Sequence, residues 1–520
     1  MEAVTWIVDF GSQYTQLITR RSRELGYKAL ILTPEEVQKK MAGPKESRPR
    51  ALILSGGPKS VPEDSTDFSF LFEDEGLPIL GICYGMQVMG QFFGGEVERG
   101  RSGEYGKARL RFLSRPIEHI PQEFTAWMSH GDHLKEAPEG FETFLESENG
   151  LIAGIRSRHR PLLGLQFHPE VEHTEKGAEI LSYFYREVAK APSSEWAAEQ
   201  MLEEARGHFS CVRETRAQVL CAFSGGVDSL AVASLAHETI GEKCHCFFVD
   251  HGLLRPQDHL HIQELQEKTP LNIHILRCRD IFLERLIGIH DPEEKRKIIG
   301  KTFIEVFERQ VEEYRKREGV SFDYLLQGTL YPDVIESMSP HATGGKSSTI
   351  KSHHNVGGLP EKMGLKLLEP FRFFFKDEVR QMGLALGLEK KWVFRHPFPG
   401  PGIGIRIVGE VSPSRIEKVQ ASDQILFEEL MKKNLYERCW QAFTVLLPLK
   451  TVGVKGDERA YEEVICLRLV NSVDGMTASW TDFAASFLAR VSTRITNEVP
   501  GITRVVYDIT SKPPGTIEWE

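Results

Sequence analysis

Residues 219 to 240 constrain the fold more than any other stretch of this chain. The apolar run Val219-Leu220-Cys221-Ala222-Phe223 has the length and composition of a buried strand, and LAVASLAHETI (230 to 240) reads as a helix. Only Ser224-Gly225-Gly226-Val227-Asp228-Ser229 stands between them. A strand that passes into a helix through so short a turn is the first half of a strand-helix-strand crossover, so a parallel sheet is predicted. At such a turn, backbone N–H groups and hydroxyls converge at a helix N-terminus, an arrangement suited to a phosphate group.

The loop contains no lysine and no GxxxxGK[ST] pattern, so it is not built like a loop that transfers a terminal phosphoryl group. Asp228 is its natural Mg²⁺ ligand, because a hard cation bridging phosphates takes oxygen donors. Taken alone, a Ser-Gly-Gly turn is only a helix N-cap. The full six-residue string in its strand-helix setting is far more specific.

The chain has 520 residues, more than one hydrophobic core usually serves. Short β-rich runs alternate with amphipathic stretches up to about residue 190, and the pattern resumes after a polar bridge at 195 to 218. Dense proline and glycine at HPFPGPG (396 to 402) mark another change, followed by strands and helices to the end. The expected fold is α/β and multidomain: two parallel-sheet α/β domains, residues 1–192 and 193–395, followed by a smaller α+β domain, residues 396–520. The glycine-rich segment 339 to 364, with too little apolar content for a core, is predicted to be a loop beside a site.

A second constellation lies nearer the N-terminus. Gly81-Ile82-Cys83-Tyr84-Gly85 follows an apolar strand and precedes a helical stretch, the setting of a nucleophile elbow with cysteine in place of serine. In Gln166-Phe167-His168-Pro169-Glu170, an extended chain would put His168 and Glu170 on one face, so that the carboxylate orients the imidazole as a base for Cys83. Ser55-Gly56-Gly57-Pro58 ends another strand, and the N–H groups of Gly57 and Tyr84 are expected to form an oxyanion hole. An isolated cysteine is more often a buried structural residue; the histidine-carboxylate pair favours the chemical reading.

With DFGSQY, SGGP, GICYGMQ and QFHPEV in order, residues 4 to about 190 resemble the class I glutamine amidotransferases. The resemblance implies a glutamyl thioester on Cys83, with His168 as acid and base and Glu170 as its orienter. Residues 224 to 229 resemble the signature of ATP-pyrophosphatases, which implies that Ser224, Gly225, Gly226, Val227, Asp228 and Ser229 hold ATP, that pyrophosphate leaves, and that Val249 in FVDHGLLR lines the adenine site. The two together, with EEKRKIIG, QGTLYPDVIES, IKSHHNVGG, HPFPGPGIGIR and SKPPGTIEWE downstream, resemble the GMP synthetase family. That resemblance implies XMP, ATP and glutamine as substrates, Mg²⁺ with the ATP, Lys351 as a lid lysine, and a homodimer through the C-terminal domain. Asp333 and Glu336 are further candidates for metal or nucleotide.

XMP brings a 5′-phosphate, and Arg406 and Lys512 are expected to meet its charge while Glu518 accepts hydrogen bonds from purine or ribose. The ten C-terminal residues are accordingly read as part of the site and dispensable for folding. Two other readings remain open at this point: a glutamine-fed adenylating enzyme with another acceptor, and a silent nucleotide-binding relative. The net charge of −10 disfavours general nucleic-acid binding or electrostatic attachment to membrane. Eight sparse cysteines and the absence of any long apolar run fit the cytoplasm. Cys244-His245-Cys246 is read as part of an apolar strand and not as a zinc site.

Overall fold

The computed structural model describes residues 4–44, 48–192, 197–331, 333, 364–455, 457–472 and 477–520. The chain forms two compact units, Met1–Gln200 and Met201–Glu520.

The first unit is built on a nine-stranded sheet. Its strands are β1 (Thr5–Val8), β2 (Ala29–Leu32), β3 (Ala51–Leu54), β4 (Ile79–Ile82), β5 (Glu96–Phe112), β6 (Glu123–Glu136), β7 (Phe141–Ser147), β8 (Ile152–Ser157) and β9 (Leu162–Leu165), in the order β2-β1-β3-β4-β9-β8-β7-β5-β6. From β2 to β9 the pairing is parallel; beyond β9 it is antiparallel. Burial explains the change. The runs TWIV, ALIL, ILGI and LLGL of β1, β3, β4 and β9 are buried at every position, as strands covered on both faces must be. In β6 buried residues alternate with more accessible ones, the mark of a sheet packed on one face. The predicted parallel sheet is thus present and carries an antiparallel extension.

The second unit holds two sheets. Strands β10 (Gln218–Ala222), β11 (Cys244–Asp250), β12 (Asn272–Arg277), β13 (Phe322–Leu326) and β14 (Lys366–Leu368) form a parallel sheet in the order β12-β11-β10-β13-β14. A smaller sheet joins the long antiparallel hairpin β15 (Gln441–Lys455) and β16 (Glu458–Asn471) to β17 (Ser479–Trp480) and β18 (Ile502–Tyr507). The change of composition at residue 396 marks a change of sheet and not a break in packing. One continuous core runs from Phe247, Val249 and Leu253 through Ile403 and Ile407 to Leu446, Ile465 and Val491. The 193 boundary drawn from the sequence falls outside the described residues, and the second and third predicted domains share this core.

The helix Pro292–Glu318 ties the C-terminus to that core. Asp291 caps it by accepting from the Glu294 N–H at 2.8 Å, Pro292 stands at its first position, and Gly319 ends it with φ +68°. Within it, the fully buried Lys295 donates to the Ile407 carbonyl at 2.7 Å and to the Glu520 carboxylate. Arg296 donates to the Glu520 main-chain oxygen, and the Gly409 N–H to Glu520 Oε1 at 3.1 Å. Arg468, also fully buried, donates to the carbonyls of Thr510 at 2.6 Å and Thr516 at 2.8 Å. Ile517 joins the smaller cluster around Phe443 and Val445. The tail is therefore part of the folded core, and these contacts argue against the expectation that its removal leaves folding intact.

Candidate active site

The glutaminase residues gather at the C-terminal ends of three adjacent strands, β3, β4 and β9, where open parallel sheets bind ligands. Cys83 follows β4 directly and opens the helix Tyr84–Phe92 with φ +52° and ψ −108°, backbone angles that a residue with a side chain rarely adopts. Such a conformation costs about 1–3 kcal/mol and is held only where its surroundings fix it. Here the Cys83 N–H donates to the Leu165 carbonyl of β9 at 2.7 Å. The flanking glycines allow the turn: a Cβ on Gly81 would lie 2.7 Å from the Gly85 backbone, and one on Gly85 would lie 2.4 Å from the Leu54 carbonyl oxygen.

His168 stands just beyond β9. Its Nδ1 and Glu170 Oε1 are 2.7 Å apart, and both side chains are buried. The segment bends at Gln166 and Phe167 and turns at Pro169 and Glu170, and is not the extended stretch read from the sequence. Thr174 Oγ1 donates to the His168 carbonyl at 2.6 Å, and Tyr14 packs edge-on against the ring with centroids 4.8 Å apart. Burial opposes a charged imidazole, but Glu170 and the Cys83 sulfur outweigh it and push the His168 pKa up to about 10.

Gly56 and Gly57 complete the pocket wall. A Cβ on Gly56 would come within 3.2 Å of His168 Cε1, and one on Gly57 within 3.0 Å of the Phe10 carbonyl oxygen and 3.3 Å of the Tyr84 ring. Tyr84, at the first helical position, has an N–H with no intrahelical acceptor. Sequence reasoning missed Gln166, whose Nε2 lies 3.7 Å from Cys83 Sγ, and Gln87, whose Nε2 lies 3.4 Å from Gln166 Oε1. Gln166 stands within the QFHPEV motif, but nothing in that string indicates where its side chain turns.

The second site lies in the other unit, between β10 and the helix Val227–Ile240. Ser224 Oγ and Ser229 Oγ are 3.0 Å apart, Ser229 Oγ donates to the Gly226 carbonyl at 3.0 Å, and the Gly226 N–H points at Ser224 Oγ at 3.3 Å. Gly225 has φ +74°, the left-handed region that favours glycine. Asp228 Oδ2 lies 3.3 Å from Lys376 Nζ, while Asp228 Oδ1 is buried with no hydrogen-bond partner among the described residues. Lys376, which opens the helix Lys376–Ala385, lies 148 residues from Asp228 and had no motif to announce it. Val227 is buried at the helix start, and Val249, near the end of β11, has its side chain in the core. Asp333 Oδ2 accepts the Leu330 N–H at 3.0 Å. Lys351 and Glu336 lie outside the described residues.

The tail residues are placed differently from their expected roles. Arg406 is fully buried, sandwiched near Phe398 and Phe443 at 5.2 and 4.1 Å, and paired with Glu518. Gln441 Nε2 also donates to Glu518 Oε1 at 2.8 Å. These two residues are engaged with each other, because a guanidinium this deeply buried needs a counter-charge, while Arg406 Nη1 has no hydrogen-bond partner among the described residues. Lys512 is half-buried, and its backbone pairs with Ala478 at 2.7 and 3.0 Å.

Known proteins resemble this chain over nearly its whole length. The family described as glutamine amidotransferase class-I matches residues 6–188, and the one described as GMP synthase C terminal domain matches residues 428–519. A protein of Aquifex aeolicus named GMP synthase [glutamine-hydrolyzing] is 51% identical over 523 residues, covering 99% of each chain. One of Helicobacter acinonychis with the same name is 49% identical, again over 99% of each. A solved structure of a glutamine amidotransferase from Thermotoga maritima is 24% identical and covers 35% of this chain and 83% of its own, with a TM-score of 0.28.

Proposed function

This chain belongs to the glutamine-hydrolysing GMP synthase family, and from that premise we propose how its residues divide the reaction. It is a ligase: glutamine is hydrolysed to supply ammonia, ATP adenylylates XMP with release of pyrophosphate, and ammonia displaces AMP to give GMP.

The glutaminase assignment rests on one observation: a cysteine held at φ +52° beside a histidine whose Nδ1 is 2.7 Å from a buried glutamate. Cys83 attacks the amide carbon and forms a glutamyl thioester. His168 delivers a proton to the departing ammonia and then draws one from the water that frees glutamate. Glu170 holds the imidazole in orientation and charge. The N–H groups of Gly57 and Tyr84 donate to the oxyanion of each tetrahedral intermediate.

Ser224 to Ser229 receive the pyrophosphate portion of ATP, with Val249 behind the adenine. The buried Oδ1 of Asp228, unpartnered among the described residues, fits Mg²⁺, which requires oxygen ligands. Mg²⁺ held by Asp228 would supply positive charge to offset that of the leaving pyrophosphate. Lys376 adds a positive charge at the same carboxylate. Lys512 is the tail cation assigned to the XMP phosphate, whereas Arg406 and Glu518 fix the tail that carries it.

A homodimer through the C-terminal domain is supported by Val452, Val454 and Tyr461, which stand 58%, 72% and 66% exposed on the β15–β16 hairpin. Sedimentation at micromolar concentration tests it. The cytoplasm suits a chain whose eight cysteines are all free thiols.

The deciding experiment supplies XMP, Mg²⁺, ammonium and ATP labelled in its α-phosphate. The label is expected in AMP, with unlabelled pyrophosphate formed in step with GMP. Labelled ADP would refute the assignment of the loop. Asp228→Asn is expected to impair synthesis equally from glutamine and from ammonium.

A further inference from the structure

The helix Pro256–Lys268 packs on the 224–229 loop through two consecutive residues. Ile262 fills the space over Gly225, where an added Cβ would come within 2.5 Å of its Cδ1. His261, 6% exposed, places Nε2 3.0 Å from the Gly225 carbonyl oxygen.

The consequence follows from peptide geometry. The Gly225 carbonyl and the Gly226 N–H belong to one planar, trans peptide unit and point in opposite directions. With the carbonyl turned to His261, the N–H faces inward to Ser224 Oγ at 3.3 Å. Both flanking residues are glycine, so the backbone by itself tolerates either orientation of this peptide. The reverse orientation would aim a carbonyl at an incoming anion. The Ser224 contact favours the receptive form from the N–H side, and His261 is placed to hold it from the carbonyl side.

We propose that His261 is a positioning residue for the nucleotide reaction: its Nε2–H holds the Gly225 carbonyl outward and so presents the Gly226 N–H and the Ser224 hydroxyl to the pyrophosphate group. The proposal rests on the reading of residues 224 to 229 as the pyrophosphate site. Two further observations support it. Burial, then the Arg395 charge, hold the His261 pKa down to about 4, so the ring is neutral at ordinary pH and carries a single N–H, which belongs on the nitrogen that faces the carbonyl. The helix is itself anchored at its start, where Arg255 donates twice to Asp258, both contacts at 2.9 Å, and Arg395 donates to Asp258 at 2.7 Å.

The test is calorimetric titration of the full chain with magnesium pyrophosphate and, separately, with AMP, which lacks the pyrophosphate group. His261→Met removes the donor at nearly constant length, and His261→Gln keeps one. The methionine variant is expected to bind pyrophosphate about tenfold more weakly, the worth of one hydrogen bond, with AMP binding changed less than about twofold. The glutamine variant should recover most of the loss. The KM for ATP should rise in parallel with the pyrophosphate dissociation constant. If His261→Met does not fold, His261→Gln against the wild type carries the comparison: near-equal pyrophosphate binding supports the donor role, and a tenfold loss overturns it. Equal pyrophosphate binding by the wild type and a folded His261→Met, or equal weakening of pyrophosphate and AMP, would also overturn it. Failure of the wild type to bind pyrophosphate would instead remove the reading of the loop, and this inference with it.

Discussion

Arg406 and Glu518 are 112 residues apart in the chain and meet as a two-pronged ion pair, Nη2 to Oε1 at 2.9 Å and Nε to Oε2 at 3.2 Å. The arginine is fully buried, so the pair fastens the C-terminal tail to the centre of its unit. Its energetic role is asymmetric. Keeping both charges yields little net stability, because each had to leave water, but removing one leaves the other stranded.

Glu518→Leu is therefore expected to destabilise the second unit by about 3–5 kcal/mol, the usual cost of an uncompensated buried charge. Arg406→Met combined with Glu518→Leu should recover most of that loss. Denaturant unfolding of the single and double variants measures both. A single variant within about 1 kcal/mol of wild type would show that the pair does not secure the tail.

Cys83→Ala is expected to abolish GMP formation from glutamine and to leave formation from ammonium intact. The nucleophile is needed only to liberate ammonia, and the Ser224 to Ser229 loop lies in the other compact unit. Parallel assays with the two nitrogen sources decide it. Equal loss with both would mean that Cys83 also serves the nucleotide reaction.

His168 gives a pH dependence with a definite sign. Its folded pKa, pushed up to about 10, lies above the ordinary histidine value of 6.5. Proton linkage then stabilises the folded glutaminase unit in full below pH 6.5, and that stabilisation is lost as the pH rises toward 10. Glu170→Gln removes the main charge that raises the pKa, so the imidazole should titrate at much lower pH and the alkaline loss of stability should shrink. Histidine NMR titration and melting temperatures between pH 6 and 10 provide the two readouts. An unchanged titration in Glu170→Gln would mean that the carboxylate does not hold the proton.

What could be read from the sequence was what lay close together in it. The Cys83 elbow and the Ser224 to Ser229 turn each occupy a few consecutive residues between a strand and a helix, and such motifs carry their own geometry. His168 and Glu170 were legible as a pair, although their segment is a turn; two residues of spacing allow the contact in either conformation. Lys376 was invisible, because only the fold brings it 148 residues back to Asp228. The structural role of the tail was hidden for the same reason. From sequence, Arg406, Lys512 and Glu518 read as charges awaiting a ligand, and nothing local indicated that Arg406 would be buried with Glu518 as its partner.

Deletion of residues 511 to 520 tests that reassessment most directly. A tail acting only as part of a binding site could be removed with loss of XMP affinity and no loss of structure. The contacts point to a larger effect. Deletion removes Glu518 from Arg406 and Glu520 from Lys295, two cations whose side chains are fully buried. It also takes the Thr516 carbonyl from Arg468, which keeps Thr510 and Asp508 as partners. Ile517 leaves the apolar cluster around Phe443, adding about 1.5–3 kcal/mol for the exposed surface. Two stranded cations at about 3–5 kcal/mol each would then exceed much of the 5–15 kcal/mol that ordinarily holds a domain together. The truncated chain is expected to show a second unit that is unfolded or strongly destabilised, while the first unit keeps its glutaminase chemistry. Limited proteolysis and two-stage melting, followed beside glutaminase assays, distinguish the outcomes. A truncated chain with an intact melting profile and weakened XMP binding would return the tail to a purely ligand-binding role.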